Sequence, residues 1–200
     1  RIRSLLSNIF KILIFILLPY LILVVFYNRE IISLVYERGA FTSQSTSMSS
    51  IAFLGYSFAV VGYACQEIFN RVYYALKKFT IPMRVSMVCI TLKLLLDFLL
   101  FRTAGIIGIS LSTAFCLLLY ALIMSILLHR EIGNFLGKDL IHFIFQLALP
   151  VAGMLAVILG SNFLHIGGRL VFLLPLAVSG LVYLGIAYFS SIRETLLVRE

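Results

Sequence analysis

The sequence predicts an all-α integral membrane protein: a bundle of about six transmembrane helices with both termini in the cytoplasm. Three observations predict it. Of 200 residues, 62% are hydrophobic and 12% charged, whereas soluble domains run at about 45–50% apolar and about 25% charged. A soluble chain of this size could not bury the excess, because it still exposes much of its surface. Six stretches reach the roughly 20 mostly apolar residues that a helix needs to cross the hydrocarbon core. The Lys and Arg residues between those stretches fall unevenly on two sides, as loop charges do when they set topology.

The first stretch, Phe10–Tyr27, follows a basic, helix-like opening, RIRSLLSNIFK. It contains Pro19, which frees a backbone carbonyl and can kink a helix. The outer connection, Asn28–Ser50, includes the apolar run IISLVY, which either lies at the membrane surface or prolongs the first helix. Gly39 is a natural stop after it, and TSQSTSMSS offers Ser and Thr to cap the second helix. The second and third stretches are Ile51–Phe69 and Met83–Phe101. The fourth, Gly105–Leu128, follows after only Arg102–Ala104, so it must run antiparallel to the third. The fifth, Ile141–Leu164, and the sixth, Leu170–Phe189, carry no charge at all; Pro150 and Pro175 fall in or at the edge of them.

The charge count gives the orientation. Arg1, Arg3, Lys11, Arg71, Lys77, Lys78, Arg84, Arg130, Lys138, Arg193 and Arg199 fall on one side, and Arg29, Arg38, Arg102 and Arg169 on the other. Eleven against four places both ends in the cytoplasm, and an even number of spans requires them on one side. The net charge of +8 is therefore loop charge; it forms no face or stripe for nucleic acid. Because the chain opens on Arg1, it reads as the C-terminal part of a longer protein.

Two polar groups sit where ionisable residues are expensive and usually functional. Lys93 and Asp97, in LKLLLDFLL, are four apart and share a helix face; Asp97 lies about 6 Å further along the axis. A lone charge there would be costly, so the two should pair and face the bundle interior. The pair is either a neutralised structural element that fixes helix rotation or an ion or substrate site. Gln66, Glu67, Asn70 and Arg71 form a second cluster at the cytoplasmic end of the second span. They are either interface residues that snorkel to water or the polar mouth of a cavity.

The remaining chemistry is sparse. Cys65, Cys89 and Cys116 lie in apolar runs without ligand spacing and read as small buried residues. His129, His142 and His165 fall at span ends. There is no zinc-protease, P-loop, nucleophile-elbow or paired-carboxylate pattern, so the chain reads as no enzyme and needs no cofactor. Gly55, Ala59 and Gly62 in the second span, and Gly105, Gly108 and Ser112 in the fourth, are suited to close helix contact.

The loops carry a resemblance. LVYERGAFTSQST, an apolar helix, then RVYYALKKFTIP, and further on AGIIGISLSTA, together resemble the C-terminal half of the MurJ/MviN lipid II flippase family. That family lies within the multidrug/oligosaccharidyl-lipid/polysaccharide exporter superfamily. The matching residues are Tyr36–Thr42, Tyr74–Leu76 with Thr80 and Pro82, and Ala104–Ala114. The resemblance covers residues 1 to about 135, while the last two spans match in position and hydrophobicity. It implies part of a fourteen-helix, two-lobe transporter in the bacterial cytoplasmic (inner) membrane, working by alternating access. Residues 1–135 would be the end of the second lobe and residues 136–200 two additional helices. The implied partners are lipid-linked peptidoglycan precursor, membrane lipids and the missing N-terminal part of the same protein.

The resemblance also implies a cation site. Some family members hold sodium between these helices with an Asn and an Asp four apart, a backbone carbonyl and a Thr. Asp97 matches the Asp, Ile109 the carbonyl and Thr113 the Thr, so Asp97 and Thr113 would supply side-chain ligands if sodium were bound. Lys93 stands where the Asn would be, so its ammonium would occupy the ion's place as a built-in cation. Other readings are a polysaccharide-lipid or drug exporter of the same superfamily, and a non-transporting membrane scaffold for cell-wall synthesis.

Overall fold

In the structure, a computed structural model, residues 2–133, 138–163 and 172–189 are described. They form six helices: α1 (Ile2–Tyr36), α2 (Ser43–Ala75), α3 (Thr80–Ala104), α4 (Ile106–Ile132), α5 (Lys138–Phe163) and α6 (Leu173–Phe189). Each expected span lies essentially within one of them. Arg1, Leu164, His165, Arg169, Leu170, Arg193 and Arg199 lie outside the described residues. By length and composition, α1, α2, α4 and α5 are long and apolar enough to cross a membrane, and the described part of α6 is a shorter apolar helix. α3 has the length, at 25 residues, but carries Lys93 and Asp97 along it.

The apolar run IISLVY continues α1 rather than starting a separate surface segment. The helix reaches Tyr36, with one non-helical residue inside it, Tyr27, at φ −120° and ψ 18°. Gly39 then adopts φ +58°, a left-handed value that glycine takes without steric cost. Thr42 caps α2, its hydroxyl accepting from the Ser45 N–H at 3.4 Å. The buried Thr46 hydroxyl donates to Glu37 Oε2 at 2.9 Å and so ties the loop to the first turn of α2.

Contacts divide the chain into two units, Ile31–Gly133, and Arg1–Glu30 with Asn134–Glu200. This is a division by packing, and it groups the first thirty residues with the C-terminal pair, unlike the four-plus-two division expected at residue 135.

In the first unit α4 is the centre. α2 and α3 both pack on it and scarcely touch one another. Small residues allow this, as the sequence led us to expect. A Cβ on Gly62 would lie 2.7 Å from the backbone carbonyl carbon of Leu117. One on Gly55 would lie 2.5 Å from Ser110 Oγ, and one on Gly108 would collide with the Leu100 carbonyl. Gly105 alone links α3 to α4, at φ +58° and ψ −134°, so the two helices form a hairpin with a one-residue turn.

In the second unit α5 presents a buried stripe of Leu140, Phe143, Leu147, Met154 and Ile158, and α6 presents Ser179, Tyr183 and Ala187. These stripes repeat at steps of three, four or seven residues, as one helix face does. Pro19 has no N–H to give the carbonyl of Phe15 four residues earlier. Tyr183, fully buried on α6, donates its hydroxyl to that carbonyl at 2.9 Å, and its ring lies 5.3 Å from that of Phe15. A bond lost to proline inside α1 is thus replaced by a side chain from α6. At the irregular Tyr27, the phenol lies 3.3 Å from Ser161 Oγ of α5.

Candidate functional site

The polar residues of α3 meet those of α4 inside the first unit. Lys93 Nζ donates to Asp97 Oδ2 at 2.6 Å, one helical turn apart on α3. The second carboxylate oxygen, Oδ1, accepts from Ser112 Oγ of α4. Ser112 is buried. Its oxygen is also 2.9 Å from the carbonyl of Ile109; with one proton to give, it serves the charged acceptor better. Thr113 Oγ1 donates to the same Ile109 carbonyl at 2.8 Å. Asp97 is therefore held from its own helix and from its neighbour, with both oxygens engaged.

Lys93 and Asp97 side chains remain 34% and 22% accessible, so the pair borders open space. That space is a cavity of about 150 Å³, lined by Gln66 of α2, by Ser86, Cys89, Ile90 and Lys93 of α3, and by Thr113, Cys116, Leu117 and Tyr120 of α4. It exists because α2 and α3 both lie on α4 without closing on each other. Lys93 faces it, whereas Asp97, drawn to Ser112, does not line it.

The second expected cluster divides. Gln66 lines the cavity, and Asn70, one turn on, accepts from the Tyr120 phenol at 2.6 Å. Glu67 and Arg71 do not line the cavity, and their side chains form no ion pair with each other among the described residues. The ion pair at this end is instead Lys78 with Glu131, at 3.0 Å, which ties the α2–α3 turn to the end of α4. Helical spacing alone could not distinguish these partners, because residues four apart meet only if both side chains lean the same way.

The arrangement does not fit a sodium ion. One Asp97 oxygen already holds an ammonium at 2.6 Å, and a second cation beside it would meet like-charge repulsion in a medium that screens little. Lys93 and Asp97 come together as expected. Ile109 and Thr113 stand one turn apart on the facing helix, bonded to each other rather than to the carboxylate. Ser112, which the sequence marked only as a small packing residue, is the residue that completes the site. Its adjacency to Thr113 was the available signal, and helix rotation decided which hydroxyl reached Asp97.

A family profile described as "Lipid II flippase MurJ" matches residues 1–179. A curated relative from Thermosipho africanus (strain TCF52B), "Lipid II flippase MurJ", is 27% identical over 195 residues, covering 98% of this chain and 38% of that protein. A "Probable lipid II flippase MurJ" from Buchnera aphidicola subsp. Schizaphis graminum (strain Sg) is 28% identical over 187 residues, 88% of this chain and 36% of that protein. A solved structure titled "Lipid II flippase MurJ, inward closed conformation" aligns with TM-score 0.75 at 22% identity, covering 92% of this chain and 38% of that one. The chain thus spans under two-fifths of the length of these relatives.

Proposed function

The chain belongs to the lipid II flippase MurJ family, and on that premise we propose that it forms part of a transporter that moves lipid-linked peptidoglycan precursor across the bacterial cytoplasmic membrane by alternating access. The observation that carries this reading is the family match over residues 1–179 of a chain built from apolar helices. The activity is transport and not catalysis: flipping a lipid breaks no bond and needs no nucleophile.

In this reading both termini lie in the cytoplasm, in keeping with the eleven-to-four charge bias. Residues 1–135 end the second lobe, and residues 136–200 add two helices. The remainder of the same protein and the surrounding lipids are its partners. Lys93 serves as a built-in cation for Asp97, so no exchangeable sodium is required there. Its bond to Asp97 and the bond from Ser112 fix α3 against α4, giving the pair a rigid element to move as one body.

The test uses the full protein. It is expected to restore growth to bacteria depleted of their own lipid II flippase, and to carry labelled lipid-linked precursor across vesicles without added sodium. Failure to rescue, together with transport of a polysaccharide-lipid or drug instead, would overturn the substrate assignment. A strict sodium requirement removed by altering Asp97 would overturn the role given to Lys93.

A further inference from the structure

We propose that Tyr27 is a joint in α1, held bent from α5 by Ser161 and able to close into continuous helix when that hold is released. The joint requires no assumption about what is transported or about what covers the outer faces of the helices. Tyr27 is the one residue of α1 outside helical φ/ψ, at φ −120° and ψ 18°. Proline and glycine, common causes of a break in a helix, are absent from residues 20–35. Pro19 disturbs the turn before it, at the Phe15 carbonyl, and not a residue beyond it. The covalent chain therefore permits a straight helix through Tyr27.

Two side chains favour the bend instead. Asn28 Nδ2 donates to the Val25 carbonyl at 3.1 Å, the group that serves the N–H of Arg29 in an unbroken helix. Local bonds of this kind compete with helical ones. Tyr27 is buried, and its ring lies 6.1 Å from that of Phe172. Its hydroxyl lies 3.3 Å from Ser161 Oγ. Ser161 gives its own proton to the Ile158 carbonyl at 2.8 Å, so Tyr27 is the donor. The bond is longer than a usual O–H···O bond, and the hold is correspondingly weak. Bent and straight forms thus differ by a few weak contacts, which lets one element occupy two states. The joint sits where the helix changes company. Packing groups α1 with α5 and α6 up to Glu30, and with α2, α3 and α4 from Ile31 onward. Closing the bend re-aims residues 28–36, the part of α1 that leads into α2.

Distances along α1 itself test the joint. In the full protein in nanodiscs, every native cysteine, Cys65, Cys89 and Cys116 among them, is replaced by Ala. Spin labels are attached through Ile16→Cys and Val35→Cys, exposed positions on either side of Tyr27, and their separation is read by electron double resonance. A straight helix sets these two positions about 29 Å apart, at about 1.5 Å per residue, and the bend shortens that distance. A second pair, Leu5→Cys with Val25→Cys, spans Pro19 but not the joint. Tyr27→Phe and, separately, Ser161→Ala are expected to lower the ratio of short to long distances in the first pair about threefold, a factor within reach of one weak neutral hydrogen bond. Asn28→Ala should shift it the same way. The second pair should not respond to any of the three. A first-pair distance that none of these substitutions moves overturns the proposal. Equal movement in both pairs overturns it too, since that marks general loosening of α1 rather than a joint.

Discussion

Between α2, α3 and α4, backbones approach closely because Gly55, Gly62 and Gly108 leave room, and the central polar bond joins two charges. In the unit of α5, α6 and the first thirty residues, Leu, Phe, Met and Tyr side chains fill the contacts, and the polar bonds between helices among the described residues are neutral. Gly160, Gly180 and Gly185 there have nothing within 4 Å of a Cβ position. Among the described glycines of this unit, Gly153 alone is near a neighbour, and it faces the flexible tip of Ile186 rather than a backbone. Both units contain polar groups that lipid cannot satisfy. One answers with an ion pair clasped by a serine, the other with a tyrosine aimed at a proline-freed carbonyl. The difference teaches that charge is kept where a cavity gives it access, and neutral bonds suffice where only the helices themselves must hold.

The largest break in this comparison should come from Asp97→Ala. It leaves Lys93 as a lone charge in a transmembrane helix, at a cost of about 3 kcal/mol. Thermal unfolding in detergent should show the loss. The double variant Lys93→Leu/Asp97→Leu should regain most of the stability, since an apolar pair of similar volume replaces the ionic one. If the double variant is as unstable as the single one, the charges are not a compensated pair.

Next in size, Gly62→Ala pushes a methyl onto the Leu117 backbone and should cost about 2 kcal/mol by overpacking. Gly160→Ala in α5 should be neutral or stabilising by up to about 1 kcal/mol, because alanine is the better helix former and meets nothing. Equal effects at both glycines would erase the contrast between the units.

The smallest effect belongs to Tyr183→Phe, which removes one neutral hydrogen bond at about 1 kcal/mol. Pro19→Ala returns an N–H to the Phe15 carbonyl, so the tyrosine substitution should cost less in that background. A double-mutant cycle with no coupling would show that Tyr183 does not substitute for the missing bond.

Much of the architecture was legible in residue order. Hydrophobic stretches of spanning length marked six helices, and each expected span lies essentially within one. Gly39 marked the end of α1, and the run TSQSTSMSS offered a cap for α2 without saying which hydroxyl serves, because left-handed backbone and orphan N–H groups have few solutions. Gly55, Gly62 and Gly108 were readable as contact points for the same reason: only small residues permit that approach; Gly105, expected beside them, meets nothing within 4 Å and makes the turn instead. The i, i+4 spacing of Lys93 and Asp97 was enough to anticipate their bond, since both lie on one helix. The ion pair of Lys78 with Glu131 carried no such mark, because its residues lie on different elements.

What local sequence could determine was whatever a single helix decides by itself: its span, its ends, its small-residue face and the partner one turn away. Only the tertiary structure decided which hydroxyl of α4 reached Asp97, that Asn70 would hold Tyr120, and that a tyrosine 168 residues away would complete the bond broken by Pro19. The physical reason is that these bonds depend on the rotation of one helix against another. That rotation is set by the sum of many small packing contacts, none of which leaves a mark at the residues that finally meet.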